Sequence, residues 1–395
     1  MTTPIPGSFA VAYGSVVLRD GDIVVAGQAS PPSGNGQVVV VRYLPNGRLD
    51  RSFASHGIFE SAFPSADGPF LATAIARDGS TGKLVIAGGY GQGSMLVMRL
   101  TADGRLDPTF GSSRSGYATV AAGGIANSLA VQRNGAIVLG GSNANRNGRP
   151  FVVARFTRNG VLDRAFGRAG IAQALFWKGS AASSAGVNSL APAAGGSIIA
   201  SGHIDYIGGT KPGSAGYGTA GVFRLTKRGR PVRTFGTNGH TQIAFPGRAG
   251  VPMSWYPCGM TVDGRGRITV TGGGGSHRSA LLTARLTPRG ALDRSYGRAR
   301  NGRAAIPGVG GNAITTCGDA STRAGEITVA VQSTLAQVLP TGRPNLRFAP
   351  RGVFRISRPR RVFVNSLVRS GRRILVAGSA GNQIYVGRYL LPLGS

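Results

Sequence analysis

The sequence predicts an all-β protein, a seven-bladed β-propeller of four-stranded antiparallel blades whose ring is closed by the N-terminal segment. Three observations favour this architecture. Apolar residues occur in short runs bounded by Gly, Asn and Asp, and no stretch shows convincing helical periodicity. Two short patterns recur along nearly the whole chain. The last unit lacks a fourth strand, and the residues before the first unit can supply it, which removes the free edges of the ring.

The first recurring pattern is a hairpin turn followed by a buried strand and a glycine. Such a pattern is typical of the first and second strands of an antiparallel unit. Its seven copies contain the sequences RDGDIVVAGQ, GKLVIAGG, RNGAIVLGGS, GGSIIASG, GRGRITVTGG, AGEITVAV and SGRRILVAG.

The second pattern is a strand carrying Arg, followed by a turn of the form NGxLDxxFG. Its six turns read LPNGRLDRSFASHGI, TADGRLDPTFGSSRSGY, RNGVLDRAFGRAG, TKRGRPVRTFGTNGH, TPRGALDRSYGRARNGR and LPTGRPNLRFAPRGV. A seventh strand of this kind, QIYVGRYL, ends the chain without its turn. Together the two patterns define one four-stranded unit, and we expect one propeller domain over residues 1–395. Its predicted blades are 12–60, 70–122, 126–176, 186–246, 257–306, 315–357 and 362–390, the last completed by 1–11.

These patterns resemble the delta-60 repeat family, bacterial β-propeller repeat proteins of mostly unknown function. The resemblance covers essentially the whole chain and implies the fold, but the family supplies no agreed catalytic residues. Unit six departs most, with Gln337 in place of the strand Arg and Asn345 in place of the turn Asp. Unit four has Val232 at that Asp position. We expect those blades to be held by packing rather than by a polar pair.

The residues that recur are expected to be structural. A carboxylate in a turn can accept backbone N–H bonds or a bidentate Arg, and a large apolar residue can fill the space between blades. The turn acids are Asp50, Asp107, Asp163 and Asp293; the strand bases are Arg42, Arg99, Arg155, Arg224, Arg285 and Arg388; the wedges are Phe53, Phe110, Phe166, Phe235, Tyr296 and Phe348.

The net charge of +31, from 45 Lys and Arg against 14 Asp and Glu, suggests polyanion binding. Arg sits at fixed repeat positions, however, and few aromatic residues flank the basic ones, so we expect no specific nucleic-acid function. The N-terminus lacks a basic signal-peptide region and no apolar run is long enough to span a membrane. We expect a soluble monomer; the compartment stays open, and an exported, trimmed form is compatible with the sequence.

Candidate ligand-binding residues lie on the face with variable loops, opposite the recurring turns. The longest such loop, 202–221, follows the second strand of unit four, and neighbouring segments carry both Trp residues. We expect Trp177, Tyr206, Trp255 and Arg278 to contact a ligand. The catalytic candidates, if the protein is an enzyme, are His203, Asp205, His277 and Tyr256.

A second candidate group forms a layer at the mouth of the central channel. Counting back from the second strand of each unit gives Tyr13, Asn127, Asn188, Cys258, Cys317 and Asn365. A structural role, in which Asn caps loops or holds water, is the first interpretation. Whether Cys258 and Cys317 pair is open, and no spacing supports a metal or another cofactor.

The sequence contains none of the common catalytic motifs, and carboxylates outside the repeat positions are few. The favoured hypothesis is a non-catalytic binding or interaction propeller whose ligand, an acidic glycan or a protein, meets the variable face near blades four and five. The alternative is a hydrolase or lyase at the channel mouth of the same face.

Overall fold

The computed structural model describes residues 1–32, 36–61, 70–91, 93–142, 150–174, 182–206, 217–247, 253–274, 280–309, 317–321, 325–357, 359 and 362–391. Within them the chain forms seven four-stranded antiparallel sheets. The strands are β1 Thr2–Thr3, β2 Phe9–Val17, β3 Ile23–Ser30, β4 Gln37–Tyr43, β5 Ile58–Glu60, β6 Phe70–Arg77, β7 Leu84–Tyr90, β8 Ser94–Leu100, β9 Tyr117–Ala121, β10 Ala126–Val131, β11 Ile137–Ser142, β12 Phe151–Phe156, β13 Ile171–Ala174, β14 Ala182–Pro192, β15 Ile198–Tyr206, β16 Tyr217–Leu225, β17 His240–Ile243, β18 Trp255–Val262, β19 Ile268–Gly274, β20 Ala280–Leu286, β21 Arg303–Pro307, β22 Cys317–Ser321, β23 Ile327–Val331, β24 Thr334–Val338, β25 Val353–Arg355, β26 Val362–Ser370, β27 Arg373–Ala380 and β28 Gln383–Leu390.

Each sheet is one blade, and its strands pair in chain order from the centre of the ring outward. Blades one to six consist of β2–β5, β6–β9, β10–β13, β14–β17, β18–β21 and β22–β25. Blade seven consists of β26–β28 with β1 as its outer strand, where Thr2 faces Tyr385. The amino group of Met1 also donates to the carbonyl oxygen of Val386 at 2.8 Å. The predicted fold class and the predicted closure by the N-terminal segment are confirmed.

The hydrophobic core lies between the blades. Each of seven clusters of buried residues joins two consecutive blades, and one of them joins blade seven to blade one. The predicted aromatic wedges enter these clusters. Five wedges are at most 1% exposed: Phe53, Phe110, Phe166, Phe235 and Tyr296. Phe348 is only partly buried, between blades six and seven.

The second recurring turn fastens each blade to the one before it. Gly160, in the turn of blade three, has φ +77°, and a Cβ there would lie 2.7 Å from the ring of Phe110 in blade two. The amide of Gly111 donates to the carbonyl oxygen of Asn159 in the same turn at 2.8 Å. Glycine is therefore required here both for its conformation and for the approach of the wedge.

The strand Arg and the turn Asp form an ion pair within the blade. In blade two, Arg99 Nε donates to Asp107 Oδ2 at 2.6 Å, and Arg99 Nη1 donates to the carbonyl oxygen of Arg158 in the next blade at 2.7 Å. Burial alone would raise the pKa of Asp107, but the hydrogen bonds from Lys83 and Thr109 outweigh it and lower that pKa. Equivalent pairs occur in three other blades: Arg42–Asp50, Arg155–Asp163 and Arg285–Asp293.

The loop predicted over 202–221 is shorter in the structure. β15 continues to Tyr206 and β16 begins at Tyr217, so His203, Asp205 and Tyr206 lie on a strand. Pairing of β15 with both β14 and β16 extends to the last of these residues, although the register of β14 shifts between Ala182 and Ser184. This extension could not be predicted because the segment is rich in Gly and polar residues, which favour a loop.

Candidate functional site at the channel mouth

The inner strands of six blades each carry a β-bulge at the same height. At each bulge one residue is left out of the pairing register, and these residues are Tyr13, Thr73, Asn127, Asn188, Cys258 and Asn365. A bulge redirects a side chain out of the regular alternation of a strand. Five of the six belong to the layer predicted by counting. Thr73 was missed because the first turn of blade two is one residue longer than the corresponding turn of most other blades, so the same count leads to a different residue. Alignment of the first hairpins of the blades would have shown the extra residue.

Four of these side chains bridge neighbouring blades. The amide nitrogens of Asn127, Asn188 and Asn365 donate to the carbonyl oxygens of Val187, Pro257 and Ala12 at 3.3, 2.6 and 2.9 Å. Thr73 Oγ1 donates to the carbonyl oxygen of Ala126 at 2.6 Å. The layer therefore has a structural part, although each Asn keeps a second N–H for other partners.

The bulge residues line a single cavity of about 730 Å³ in the central channel. Side chains from blades four and five join them on one side of the wall: His203, Asp205 and Tyr256. Ser128 also lines the cavity; it is 8% exposed, and its Oγ has no hydrogen-bond partner among the described residues. None of the described lining residues is Lys or Arg. The cavity is thus polar and able to bind hydroxyl groups, with Asp205 as its one carboxylate among those residues.

His203 and Asp205 are two residues apart on β15, so their side chains lie on the same face of the sheet. The ring nitrogens of His203 lie within hydrogen-bond distance of Asn188 Oδ1, 3.3 Å from Nδ1, and of Ser184 Oγ, 3.4 Å from Nε2. Burial lowers the pKa of His203, opposed by the charge of Asp205, and burial raises the pKa of Asp205, opposed by the charge of His203. An imidazole and a carboxyl that face one cavity are groups able to accept and donate protons there.

The two aromatic candidates at the start of β18 point in opposite directions. Tyr256 is 37% exposed and lines the cavity. Trp255 is fully buried, packed edge-to-face on Phe245 with ring centroids 4.9 Å apart. Strand alternation places one neighbour outward and the other in the core. In this structure the ring of Trp255 contributes packing, and its contact with a ligand stays a prediction.

Tyr206 likewise stands away from the cavity wall. It packs on the core between blades three and four, and its hydroxyl accepts a hydrogen bond from Gln242 Nε2 at 2.7 Å. The remaining candidates on the variable face lie outside the described residues; they are Trp177, His277 and Arg278.

Cys258 is disulfide-bonded, and Cys317 is the only other cysteine in the chain. Cys317 is the first residue of β22 in the adjacent blade, and its side chain is not among those that the structure describes. No group of three His, Cys, Asp or Glu side chains suited to a metal occurs in the described residues. In the same residues, no helix has the length and apolar character needed to cross a membrane.

Comparison with known proteins concerns the fold. Residues 18–53 and 79–110 match the family described as a domain of unknown function (DUF5122) beta-propeller. The chain is a β-propeller repeat protein. No curated protein matches it in sequence.

Several solved structures are similar to the whole chain. Chaetomium thermophilum Sqt1 has a TM-score of 0.53 at 12% identity, covering 98% of this chain and 84% of that one. Drosophila Semaphorin 2a has a TM-score of 0.54 at 8% identity, covering 100% and 75%. A polysaccharide lyase, the PL25 ulvan lyase, has a TM-score of 0.50 at 11% identity, covering 99% and 96%. Such low identities show the fold alone, which an enzyme and a semaphorin share here.

Proposed function

We propose that this protein is a non-catalytic binding module whose ligand is a glycan, one sugar unit of which enters the channel-mouth cavity. The observation that carries the proposal is the convergence in one cavity of an exposed aromatic ring, Tyr256, with the amides of Asn127 and Asn188 and with Asp205. Sugar recognition uses this combination, because the apolar face of the ring packs on an aromatic side chain while polar groups bind its hydroxyls.

Two further observations support a hydroxyl-bearing ligand. Ser128 Oγ is buried in the wall and has no hydrogen-bond partner among the described residues, so a ligand hydroxyl that binds it would satisfy an otherwise costly group. The cavity of about 730 Å³ is also within the usual range for small-ligand sites, roughly 300–1,000 Å³.

The net charge favours an acidic member of the glycan class. The chain carries +31, while none of the described residues lining the cavity is Lys or Arg. We therefore place a neutral part of the sugar inside the cavity and the acidic groups of the glycan on the surrounding basic surface. We also propose the delta-60 repeats as the family of this propeller, on the turn pattern it repeats six times.

The first prediction concerns this site. A glycan array containing neutral and acidic sugars, followed by calorimetry on the hits, should give binding that weakens at least about tenfold in Tyr256→Ala and in Asp205→Asn, because each variant removes a contact inside the cavity. The matched control is Phe354→Ala, since Phe354 is a similarly exposed aromatic, 40% against 37% for Tyr256, on the outer strand of blade six.

An array without hits would contradict the proposal, as would binding that both variants retain in full. An affinity that falls steeply with salt concentration but is unchanged by both substitutions would indicate attraction by charge alone.

One observation favours a second candidate, a hydrolase or lyase at the same cavity. His203 and Asp205 line the same cavity, and burial there lowers the pKa of the imidazole and raises the pKa of the carboxyl, so that burial favours the neutral form of each group. Turnover of an array hit that is lost in His203→Gln and Asp205→Asn, with binding to His203→Gln unchanged, would establish the enzyme instead of the binding module.

A further inference from the structure

The strand Arg and the turn residue change together in most blades, but not in blade four. Four blades keep both charges, as in Arg99 and Asp107. Blade six has lost both, and Asn345 Nδ2 donates to Gln337 Oε1 at 2.6 Å in the same place. Blade four alone among these keeps Arg224 while Val232 stands where the carboxylate would be. The cation of blade four therefore has no internal counterpart.

Arg224 adopts different contacts from its equivalents. Its Nε and Nη2 both lie near Ser197 Oγ, at 3.3 and 3.1 Å, and no carboxylate pairs with it among the described residues. In the four complete blades Nη1 donates to a carbonyl oxygen of the next blade and the guanidinium covers the wedge ring. Within the described part of the chain neither contact is present for Arg224, so its charge and its Nη1 donor remain available.

Arg224 also lines a cavity of about 1030 Å³ on the face of the recurring turns, between blades three, four and five. The space exists because the first turn of blade four consists of small residues, Ala193 to Gly196. The charged side chains on its wall are Arg133, Arg155, Arg224, Lys227 and Asp263.

Two of those charges are already neutralised. Arg155 is paired with Asp163 at 2.8 Å, and Asp263 is paired with Arg267 at 2.7 Å. Arg133, Arg224 and Lys227 have no carboxylate partner among the described residues, so the cavity wall has a surplus of positive charge.

We propose that this second cavity is an oxyanion site, in which Arg224 binds a ligand carboxylate or phosphate as the other blades bind their own Asp. A guanidinium that keeps N–H donors without an acceptor is suited to carboxylate and phosphate groups, because it can donate two parallel hydrogen bonds to them. Arg133 and Lys227 add long-range attraction at the rim. The site lies on the opposite face from the channel mouth, and it stands whether or not a glycan binds there.

The test installs the missing carboxylate. Val232→Asp should give blade four the ion pair of blade two, because the backbone is the same: the amide at this position donates to the carbonyl oxygen of the strand Arg at 2.9 Å for Val232 and 3.0 Å for Asp107. Thr234 already occupies the place of Thr109, whose hydroxyl donates to Asp107. We expect inorganic phosphate and acetate, titrated at constant ionic strength, to bind wild type at one site and Val232→Asp at least about tenfold more weakly.

Arg224→Gln should lose the same binding, since Gln is the residue that blade six uses at this position. Arg233→Gln is the matched control, because it removes one positive charge from an exposed residue of the same turn that does not line the cavity. Phosphate or acetate binding that is weakened in both site variants and kept in the control supports the proposal. Binding that Val232→Asp retains in full, or that the control loses equally, overturns it, as does the absence of binding to wild type.

Discussion

Blades two and four have the same backbone at the second turn and opposite chemistry. In blade two Arg99 and Asp107 are 3% and 1% exposed, and Lys83 Nζ also donates to Asp107 Oδ2 at 2.6 Å. In blade four the turn closes equally well around Val232, and Phe235 is as deeply buried as its equivalent Phe110.

The difference between these two blades separates the contribution of the glycine turn and aromatic wedge from that of the Arg–Asp pair. The glycine turn and the aromatic wedge suffice for the geometry, since blade four keeps it without the ion pair. The polar pair then adds stability where it is complete, and a blade that loses one member can present the other to a ligand. Recurring residues are scaffold only where the whole set recurs.

The largest effect is expected from breaking the pair in blade two. Asp107→Ala should lower the free energy of unfolding by about 3–5 kcal/mol, because it leaves two cations beside a buried site without their carboxylate. Denaturant unfolding measures it. Asp163→Ala is the matched comparison, with a smaller expected loss, since the side chain of Asp163 is 24% exposed and has one cationic partner instead of two. Equal losses below about 1 kcal/mol in both variants would show that the pairs contribute little.

The same comparison has a pH dependence of known sign. The folded state lowers the pKa of Asp107, so the stability this group contributes is complete above the ordinary carboxyl range and is lost as pH falls through that range toward the folded pKa. The difference in stability between wild type and Asp107→Asn should therefore shrink as pH falls below about 4. A difference that grows on acidification would contradict the assignment.

A smaller effect is expected from putting charge back into blade six. Asn345 is 3% exposed and its partner Gln337 is fully buried, so Asn345→Asp alone should cost about 1–3 kcal/mol of unfolding free energy as an unpaired carboxylate. The double variant with Gln337→Arg should recover at least half of that loss, because it recreates the pair of blade two. Denaturant unfolding of both single variants and the double variant gives the coupling energy; additive losses would refute the equivalence of the two pairs.

Most of the fold could be predicted from the sequence because one sequence unit recurs along the chain. The contact seen between Phe110 and Gly160 recurs with that unit. The site could be predicted only in part. The position of Asn188 or Asn365 follows from counting within a hairpin, whereas the choice between Trp255 and Tyr256 depends on which neighbour the core between blades four and five accepts. The sequence could not indicate that choice, because adjacent aromatics fit either phase of a strand equally well.

The second cavity shows most clearly what could not be predicted from the sequence. The loss of the turn acid at Val232 is visible in the sequence, and it suggested only a blade held by packing. The consequence depends on small residues in a different turn, 193–196, and on Ser197, which redirects Arg224. Such coupling between turns of one blade is spatial, and no local pattern expresses it.

The smallest effect concerns the seam where the ring closes. Asn365→Ala removes the hydrogen bond to the carbonyl oxygen of Ala12 and should cost about 1 kcal/mol, and Asn127→Ala, which removes the equivalent bond between blades three and four, should cost the same within about 0.5 kcal/mol. Denaturant unfolding of the two variants checks this equality.

Equality is expected because the seam is packed like the other interfaces. The cluster that joins blade seven to blade one contains fully buried residues from both, including Ala12 and Ala377, and β1 adds backbone bonds from the N-terminus to β28. The side chains of Asn365 and Asn127 both line the channel cavity, so water can take the place of either lost amide and hold the cost near 1 kcal/mol. A clearly larger loss in Asn365→Ala would mean that the interface between blades seven and one is the least stable interface of this propeller. The ring would then open first at this seam, which β1 closes with only two paired residues.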